Sequence, residues 1–225
     1  MTFSVSGRCR RTGQFGIAIT TSSICVGARC VWVREGVGVI GTQNQTNPGL
    51  GKFGLDLLAK GAAPQAVMDA MIAEDGGNIA YRQLAVLNAS DPPLAYSGTE
   101  VFENWGEAIG KDSVAIGNLL KTPDVAQAMV DAFEAAEGEH LVERLLRGLE
   151  GGLKAGGEHG DVHSAGVQVK DEYVWPICDL RVDWDEAPIA RLRSIWADYQ
   201  PQMGEYLTRA LNPAGAQSYG VPGNQ

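Results

Sequence analysis

The chain begins with a regular alternation of polar and apolar positions. Within residues 2–6, Phe3 and Val5 fall on one face of a predicted strand and Thr2 belongs to the other face. A glycine turn and a second segment over residues 15–20 complete a predicted hairpin. The alternation therefore places the Thr2 side chain on the polar face of the first strand.

Further along the chain the apolar spacing switches between strand and helix periods. Asn47 and Pro48 have the residue types of an N-cap and a first-turn proline. A strand pair is predicted within residues 30–43, turning at Glu35 and Gly36. The same rules predict strands over residues 82–88, 94–97, 113–116, 165–169 and 180–184, and helices beginning at Pro48, Pro64, Pro123 (with Thr122 as part of the cap), Leu141 and Pro188.

Strands alternating with pairs of helices do not follow the strand–helix–strand order of a parallel, doubly wound sheet. The order favours an α+β fold in which antiparallel sheets are covered by helical hairpins. No repeat, charge block or long linker divides the chain, so we predict one domain over residues 1–211. Residues 212–225 are rich in Gly, Asn and Gln and are expected to form a flexible tail.

Composition and net charge exclude several kinds of binding partner. The chain has 225 residues and a formal net charge of −9, which disfavours nucleic acid and anionic lipid surfaces as partners. No apolar run approaches the roughly 20 residues of a membrane span, and the first residues lack a signal-peptide pattern. We therefore expect a cytoplasmic protein with no membrane partner. Its four cysteines have no CxxC spacing and are expected to be reduced thiols.

The segment GVGVIG, residues 36–41, matches the glycine fingerprint of dinucleotide-binding proteins, with Asp56 as a possible ribose ligand. That fingerprint requires a helix to begin within the glycines. Here the intervening Val and Ile residues favour a strand, and the helix begins only at Pro48. We prefer a strand packed closely against another layer, and expect no cofactor.

The segment EHGDVHS contains His159, Asp161 and His163 at every second position, and an extended chain would project them to one side. Imidazole and carboxylate groups suit a zinc-like ion. The neighbouring glycines favour the alternative of a solvated loop entering a strand. We predict no metal, with these three residues as the weak candidates if one binds.

Two polar segments could hold a substrate. The segment TQNQTNPG joins an apolar strand to a helix N-terminus, where Gln43 and Asn44 could orient an amide-like molecule. The segment TTSS supplies the hydroxyl groups of Thr21 and Ser22 at the end of the second strand. In both cases the alternative is an ordinary hydrogen-bonded loop or turn.

Together with these segments, the stretches MTFSV, TGQFGIAI, RQLAV, GN (residues 117–118), AGG and DLRVD resemble the DUF1028 family of uncharacterised bacterial proteins. The resemblance extends to about Arg193 and rests on the order and spacing of the segments. It implies an Ntn-hydrolase-like fold, a four-layer α/β/β/α sandwich, with no assigned activity. Relatives tend to have Asp and arginines where this chain has Glu158 to His163, so substrate preference does not transfer.

The resemblance suggests an N-terminal-nucleophile amidohydrolase acting on a small amide or peptide-like substrate. If Met1 is removed, the Thr2 hydroxyl would attack an amide carbonyl and the Thr2 α-amine would accept the proton. Asn118 would stabilise the oxyanion, and Ser164 is the alternative nucleophile. Arg82 and His163 join the candidate substrate-binding residues. Retained Met1 would block this chemistry, so the alternative is an inactive ligand-binding or assembly protein.

Aromatic residues suggest an assembly. The chain has five tryptophans, and Trp32, Trp184 and Trp196 lie in or beside elements that already have other core candidates. Exposed aromatic area often marks an interface, and two-fold dimers are the commonest homo-oligomers. We therefore predict a homodimer.

Overall fold

Two antiparallel sheets packed face to face form the centre of the protein. The computed structural model describes residues 1–217. Its strands are β1 (Thr2–Arg8), β2 (Phe15–Thr21), β3 (Val31–Arg34), β4 (Gly38–Asn44), β5 (Arg82–Asn88), β6 (Leu94–Ser97), β7 (Gly106–Ile109), β8 (Ser113–Asn118), β9 (Ser164–Lys170) and β10 (Cys178–Val182). Its helices are α1 (Gly27–Cys30), α2 (Pro48–Leu58), α3 (Pro64–Asp75), α4 (Asp124–Ala135), α5 (Leu141–Lys154), α6 (Pro188–Tyr199) and α7 (Met203–Leu211), with short 3-10 segments at Gly76–Tyr81, Gln200–Gln202 and Pro213–Gly215.

The first strand lies in the middle of the larger sheet. Six strands form that sheet in the order β10-β9-β2-β1-β8-β7, and four form the other in the order β3-β4-β5-β6. The register sets Thr2 opposite Thr21 on one side and Asn118 on the other. Thr21 is in turn opposite Ser164, so the predicted residues from four strands lie in one row.

Side-chain alternation sorts the core into layers. Phe3 and Val5 join the cluster formed with α4 and α5, whereas Ile17 and Ile116 join a cluster with residues of the second sheet. On the second sheet, Ile40 packs with α2 and α3. The predicted four-layer α/β/β/α sandwich is therefore confirmed.

Local signals account for most of the element boundaries. The Asn47 side chain accepts a hydrogen bond from the Gly49 backbone N–H at 3.0 Å and caps α2 as predicted. At α4 the prediction holds in part: Pro123 occupies the N-cap, but the Thr122 hydroxyl is buried without a hydrogen-bond partner in the described chain and so does not cap the helix. The His140 ring is half-buried and caps α5 by accepting a hydrogen bond from the Val142 N–H.

Some sequence expectations need correction. Two elements were not anticipated, the short helix α1 and the strand β7. Trp184 lies beyond the end of β10, and Trp196 is almost fully buried in the main core, so it offers no area to a partner. Of the expected tail, residues 212–217 include a 3-10 turn and residues 218–225 lie outside the described residues.

Other expectations agree with the structure. Residues 38–41 of GVGVIG lie in β4, and the next long helix begins at Pro48, so the glycines do not open a nucleotide-binding helix. The cysteines are free thiols, three of them buried. Across residues 1–217 the helices are all too short or too polar to span a bilayer.

Candidate functional site

Thr2 lies at the end of the central strand, with its side chain between the two sheets. The strand alternation that buries Phe3 under α4 and α5 turns Thr2 toward the second sheet. Thr2 is 5% exposed, and its Oγ1 lies 3.1 Å from Thr21 Oγ1. Thr21 Oγ1 also donates to the Met1 carbonyl oxygen. A side-chain hydrogen bond to β2 therefore orients Thr2, the predicted nucleophile, which is the residue after Met1.

A buried polar network extends inward from this position. Ser4 Oγ donates to Gln43 Oε1 at 2.7 Å, and Gln43 Nε2 donates to Gln83 Oε1 at 2.8 Å. Gln83 Nε2 donates in turn to Ser97 Oγ at 2.9 Å. This network crosses from the first sheet to the second, so it fixes how the two sheets meet beneath Thr2.

Asn118 joins the network with spare hydrogen-bonding capacity. Its Nδ2 donates to Gln83 Oε1 at 3.1 Å, which uses one of the two Nδ2 hydrogens. Its Oδ1 is buried and, within the described chain, accepts no hydrogen bond. A buried acceptor without a hydrogen bond is costly, and a ligand could supply the missing donor. Asn118 therefore has both a donor and an acceptor available beside Thr2.

A buried carboxyl group lies near the chain N-terminus. Glu158 is 3% exposed, and neither carboxyl oxygen has a hydrogen-bond partner among residues 1–217. Burial raises the pKa of Glu158 to about 8, while the Met1 ammonium and the Ser22 backbone N–H act in the opposite direction. At neutral pH the carboxyl group is thus mainly protonated, and it can give or take a proton near pH 8.

The N-terminal amine shares this environment. Burial lowers the pKa of the Met1 amine, while the nearby Glu158 carboxyl and Cys30 thiol act to raise it. A Cβ built on Gly160 would lie 3.7 Å from Met1 Cε, so the Met1 side chain covers the loop after Glu158. Met1 therefore lies where a molecule would approach both Thr2 and this loop.

A cavity of about 280 Å³ opens next to Glu158. Its wall includes Lys121, Asp161 and the first residues of α6 from Pro188 onward. Pockets of this size can enclose a small molecule. Glu158 thus lines this cavity and also lies near the amine of Met1.

Ser164 lies in the same row as Thr2 but has another role. Its Oγ donates to the Ser23 carbonyl at 2.6 Å and accepts from the Val26 N–H at 3.2 Å. Both bonds hold the loop that follows β2. The hydroxyl is committed to this loop, which argues against Ser164 as the nucleophile.

Three predicted substrate-binding residues make structural contacts. Arg82 Nε donates to Asp75 Oδ2 at 2.7 Å, and Asn44 Nδ2 donates to the Tyr81 carbonyl at 2.7 Å. The His163 ring stacks on Trp184 with 4.4 Å between centroids, while its backbone N–H donates to the Thr21 carbonyl. Of these, only His163 is tied directly to the row that contains Thr2.

The weak metal candidates do not come together. His159, Asp161 and His163 follow one another in a loop, and in the part of the chain that the structure describes no group of three or more His, Cys, Asp or Glu side chains could hold an ion. The every-second-residue spacing needed an extended segment, but residues 159–163 include a bend and are not a strand.

Sequence reasoning missed two members of this site. Gln83 lies inside an otherwise apolar strand, where its inward position follows from the period of two. Glu158 lies in a glycine-rich loop that gives no local sign of burial. Only the packing of that loop against Met1 and Leu120 shows that the carboxyl is enclosed.

Two solved structures illustrate how similar this chain is to known proteins. The chain is similar to the crystal structure of protein SPO2555 from Silicibacter pomeroyi, itself assigned to DUF1028, with 28% identity, a TM-score of 0.81 and coverage of 88% of this chain and 89% of that one. A much weaker match is to Anbu (ancestral beta-subunit) from Yersinia bercovieri, with 10% identity, a TM-score of 0.43 and coverage of 91% and 97%. No functionally curated protein matches the sequence.

The family comparison covers the whole site. The model described as "Family of unknown function (DUF1028)" matches residues 2–192, which include Thr2, the inter-sheet network and Glu158. The resemblance noted in the sequence is thereby confirmed, and the chain belongs to the DUF1028 family.

Proposed function

We propose that the protein, once Met1 is removed, is an N-terminal-nucleophile amidohydrolase that cleaves a small amide or peptide-like substrate at Thr2. The observation that carries the proposal is the position of Thr2, at the end of the central strand between Thr21 and Asn118. Loss of Met1 would expose the Thr2 amine, the Thr2 hydroxyl and the surroundings of Glu158 together.

The reaction uses two groups of one residue. Thr2 Oγ1 attacks the amide carbonyl carbon, and its proton passes to the Thr2 α-amine. That proton then goes to the leaving nitrogen as the C–N bond breaks, which leaves an ester on Thr2. Water attacks the ester carbonyl and gives one proton to the Thr2 α-amine; the C–O bond then breaks, and that proton passes to Thr2 Oγ1 as the carboxylic acid leaves.

The surroundings favour each step. An exposed α-amine has a pKa of about 7.7–8.0, so a useful fraction of a Thr2 amine would be in its basic form at neutral pH. The unused Asn118 Nδ2 hydrogen can donate to the oxyanion, and Asn118 Oδ1 can accept from a substrate N–H.

The second candidate is a ligand-binding or assembly protein without catalytic activity. It is favoured by the burial of Thr2 and Asn118 when Met1 is present. In that case Met1 stays in place and the 280 Å³ cavity beside Glu158 holds a ligand that is not cleaved. For both candidates we propose a cytoplasmic homodimer.

A defined N-terminus separates the candidates. Protein released from a cleavable fusion so that Thr2 is the first residue should hydrolyse members of a panel of small N-acyl amides and dipeptides, and protein that keeps Met1 should not. Thr2→Ala should abolish turnover and Thr2→Ser should retain part of it. Ser6→Ala is the matched control, because Ser6 is a buried hydroxyl on the same face of β1. Activity that survives Thr2→Ala but not Ser164→Ala would contradict the proposal.

A further inference from the structure

A second cavity lies at the far end of the larger sheet from Thr2. The last β2–β9 pair at this end is Phe15 with Lys170, and their chain neighbours Gln14 and Asp171 lie just beyond it. Gln14 Nε2 donates a hydrogen bond to Asp171 Oδ2 at 2.7 Å. The cavity beside them has a volume of about 340 Å³. The length of β2 separates it from the Thr2 end by about 20 Å. A ligand here would therefore be independent of the proposed amidohydrolase site.

Aromatic rings form much of the cavity wall. Trp175, Tyr199 and Tyr206 line it, and the last two are stacked with 5.7 Å between ring centroids. The Tyr199 hydroxyl donates to the Ile177 carbonyl at 2.9 Å, which fixes the orientation of that ring. Tyr206 belongs to α7, beyond the residues matched by the family model. The helix α7 therefore forms part of the cavity wall.

The cavity also has a negative charge. Asp171 is the carboxylate of the wall in the described chain, and outside the wall the Arg209 guanidinium lies over the Tyr206 ring, 5.5 Å from its centroid. Its Oδ1 receives no hydrogen bond within residues 1–217, since Gln14 binds Oδ2. His140 does not neutralise it, because burial lowers the pKa of His140 even though Asp171 acts to raise it. His140 Nδ1 is moreover occupied as the acceptor of the Val142 N–H.

We propose that this cavity binds a small organic ammonium ion, with its apolar substituents against Trp175, Tyr199 and Tyr206 and its charge beside Asp171. Aromatic faces attract cations through their quadrupole, and the attraction is strongest where water is excluded. A carboxylate at the edge of such rings selects a cation over a neutral molecule of the same shape. A volume of about 340 Å³ is at the lower end of small-molecule sites, which suits a compact ligand.

A charged probe and its neutral isostere test the proposal on the full chain. Choline and 3,3-dimethyl-1-butanol have nearly the same shape, but only choline carries the ammonium charge. We expect saturable binding of choline by ligand-observed NMR, and at least about tenfold weaker binding of the alcohol. Asp171→Asn should weaken choline binding about tenfold, and Trp175→Ala should weaken it several-fold. Trp184→Ala is the matched control, because this exposed tryptophan stacks on His163 and is not part of the cavity wall.

Several results would overturn the proposal. Equal binding of the alcohol, unchanged choline affinity in Asp171→Asn, or no saturable choline signal would each do so. If choline does not bind and Trp175→Ala instead lowers the molar mass measured by light scattering, the aromatic wall is covered by a second copy of the chain, and the ammonium site is wrong. Circular dichroism of each variant confirms that a loss of binding is not a loss of fold.

Discussion

Ser4 and Ser6 lie on the same inner face of β1, but only Ser4 is hydrogen-bonded. Ser4 Oγ donates to Gln43 Oε1, whereas Ser6 Oγ is buried with no partner in the described part of the chain. We expect Ser4→Ala to lower the free energy of unfolding by about 1–2 kcal/mol, since it leaves Gln43 Oε1 unpaired. Ser6→Ala should change it by less than about 0.5 kcal/mol or raise it. Urea denaturation measures both, and equal losses would show that the network is not formed as described.

Glu158 should make stability depend on pH. Its pKa rises from 4.5 in the unfolded chain to about 8 in the folded protein, because the carboxyl is buried. Below about pH 4.5 the Glu158 carboxyl is protonated in both the folded and the unfolded state. Between about pH 4.5 and about pH 8 it is protonated only in the folded state. The contribution of Glu158 is therefore fully present at low pH and is lost as the pH rises, by at most about 1.4 kcal/mol per pH unit.

Glu158→Gln isolates this effect. Unfolding free energies measured between about pH 5 and about pH 8 should fall more steeply with pH in the natural chain than in Glu158→Gln. Glu186→Gln is the control, because Glu186 is an exposed carboxyl on the rim of the same cavity. Parallel curves for the natural chain and Glu158→Gln would contradict the burial of this carboxyl.

At the scale of elements, α2 approaches the second sheet through a glycine. A Cβ at Gly51 would lie 2.1 Å from the Trp32 ring, a distance that no real contact allows. We expect Gly51→Ala to destabilise the protein by more than about 2 kcal/mol through overpacking. Gly204→Ala, in α7, meets no atom within 4 Å and should be neutral or slightly stabilising. Urea denaturation of both variants makes the comparison.

A second substitution checks the cause. In Gly51→Ala with Trp32→Leu, the smaller side chain should recover part of the lost stability, which a double-mutant cycle would detect. Additive losses would mean that Gly51 is required for some reason other than its contact with Trp32.

The elements that sequence patterns predicted are those with strong local signals. β1 shows a clear period of two, and α2 has its cap and its first-turn proline. The sequence patterns did not predict β7, because it is only four residues long and alternates buried with exposed positions at the sheet edge. The fold predicted through family resemblance was right, since it depended on segment order rather than on any one boundary.

The site was only partly predictable, because sequence patterns set the direction of side chains on strands but not the contacts made by loops and tertiary packing. Thr2 and Gln43 lie on strands, so their direction follows from alternation once the layers are known. Arg82 and Ser164 were proposed from residue type, and their actual partners, Asp75 and the loop after β2, come from tertiary packing. Burial of Glu158 likewise depends on a loop conformation with no sequence signature.

At the scale of the whole molecule, the exposed apolar surface indicates where a dimer would form. Phe102, Trp105 and Ile109 are exposed in or beside β7, the edge strand of the larger sheet. An open edge strand with apolar neighbours is prone to pair with another copy. We therefore predict a homodimer through β7, in place of the surface first expected around Trp32, Trp184 and Trp196.

Light scattering tests the dimer. The natural chain should give about twice the 23.9 kDa mass of the monomer, and Ile109→Lys should shift it to the monomer mass, because a charge on the edge opposes pairing. Lys111→Ala, a nearby change of surface charge, is the control. A monomer mass for the natural chain across a dilution series would show that the prediction is wrong.

The central claim is that Thr2 becomes the nucleophile when it is the first residue. The most direct measurement is the intact mass, with peptide mapping, of protein beginning at Thr2 after brief exposure to a β-lactone. Attack by the Thr2 hydroxyl on the lactone carbonyl opens the ring C–O bond and adds the mass of the reagent. We expect one adduct on the N-terminal peptide, absent from Thr2→Ala and from protein that retains Met1. An adduct on Ser164, or equal labelling with and without Met1, would contradict it.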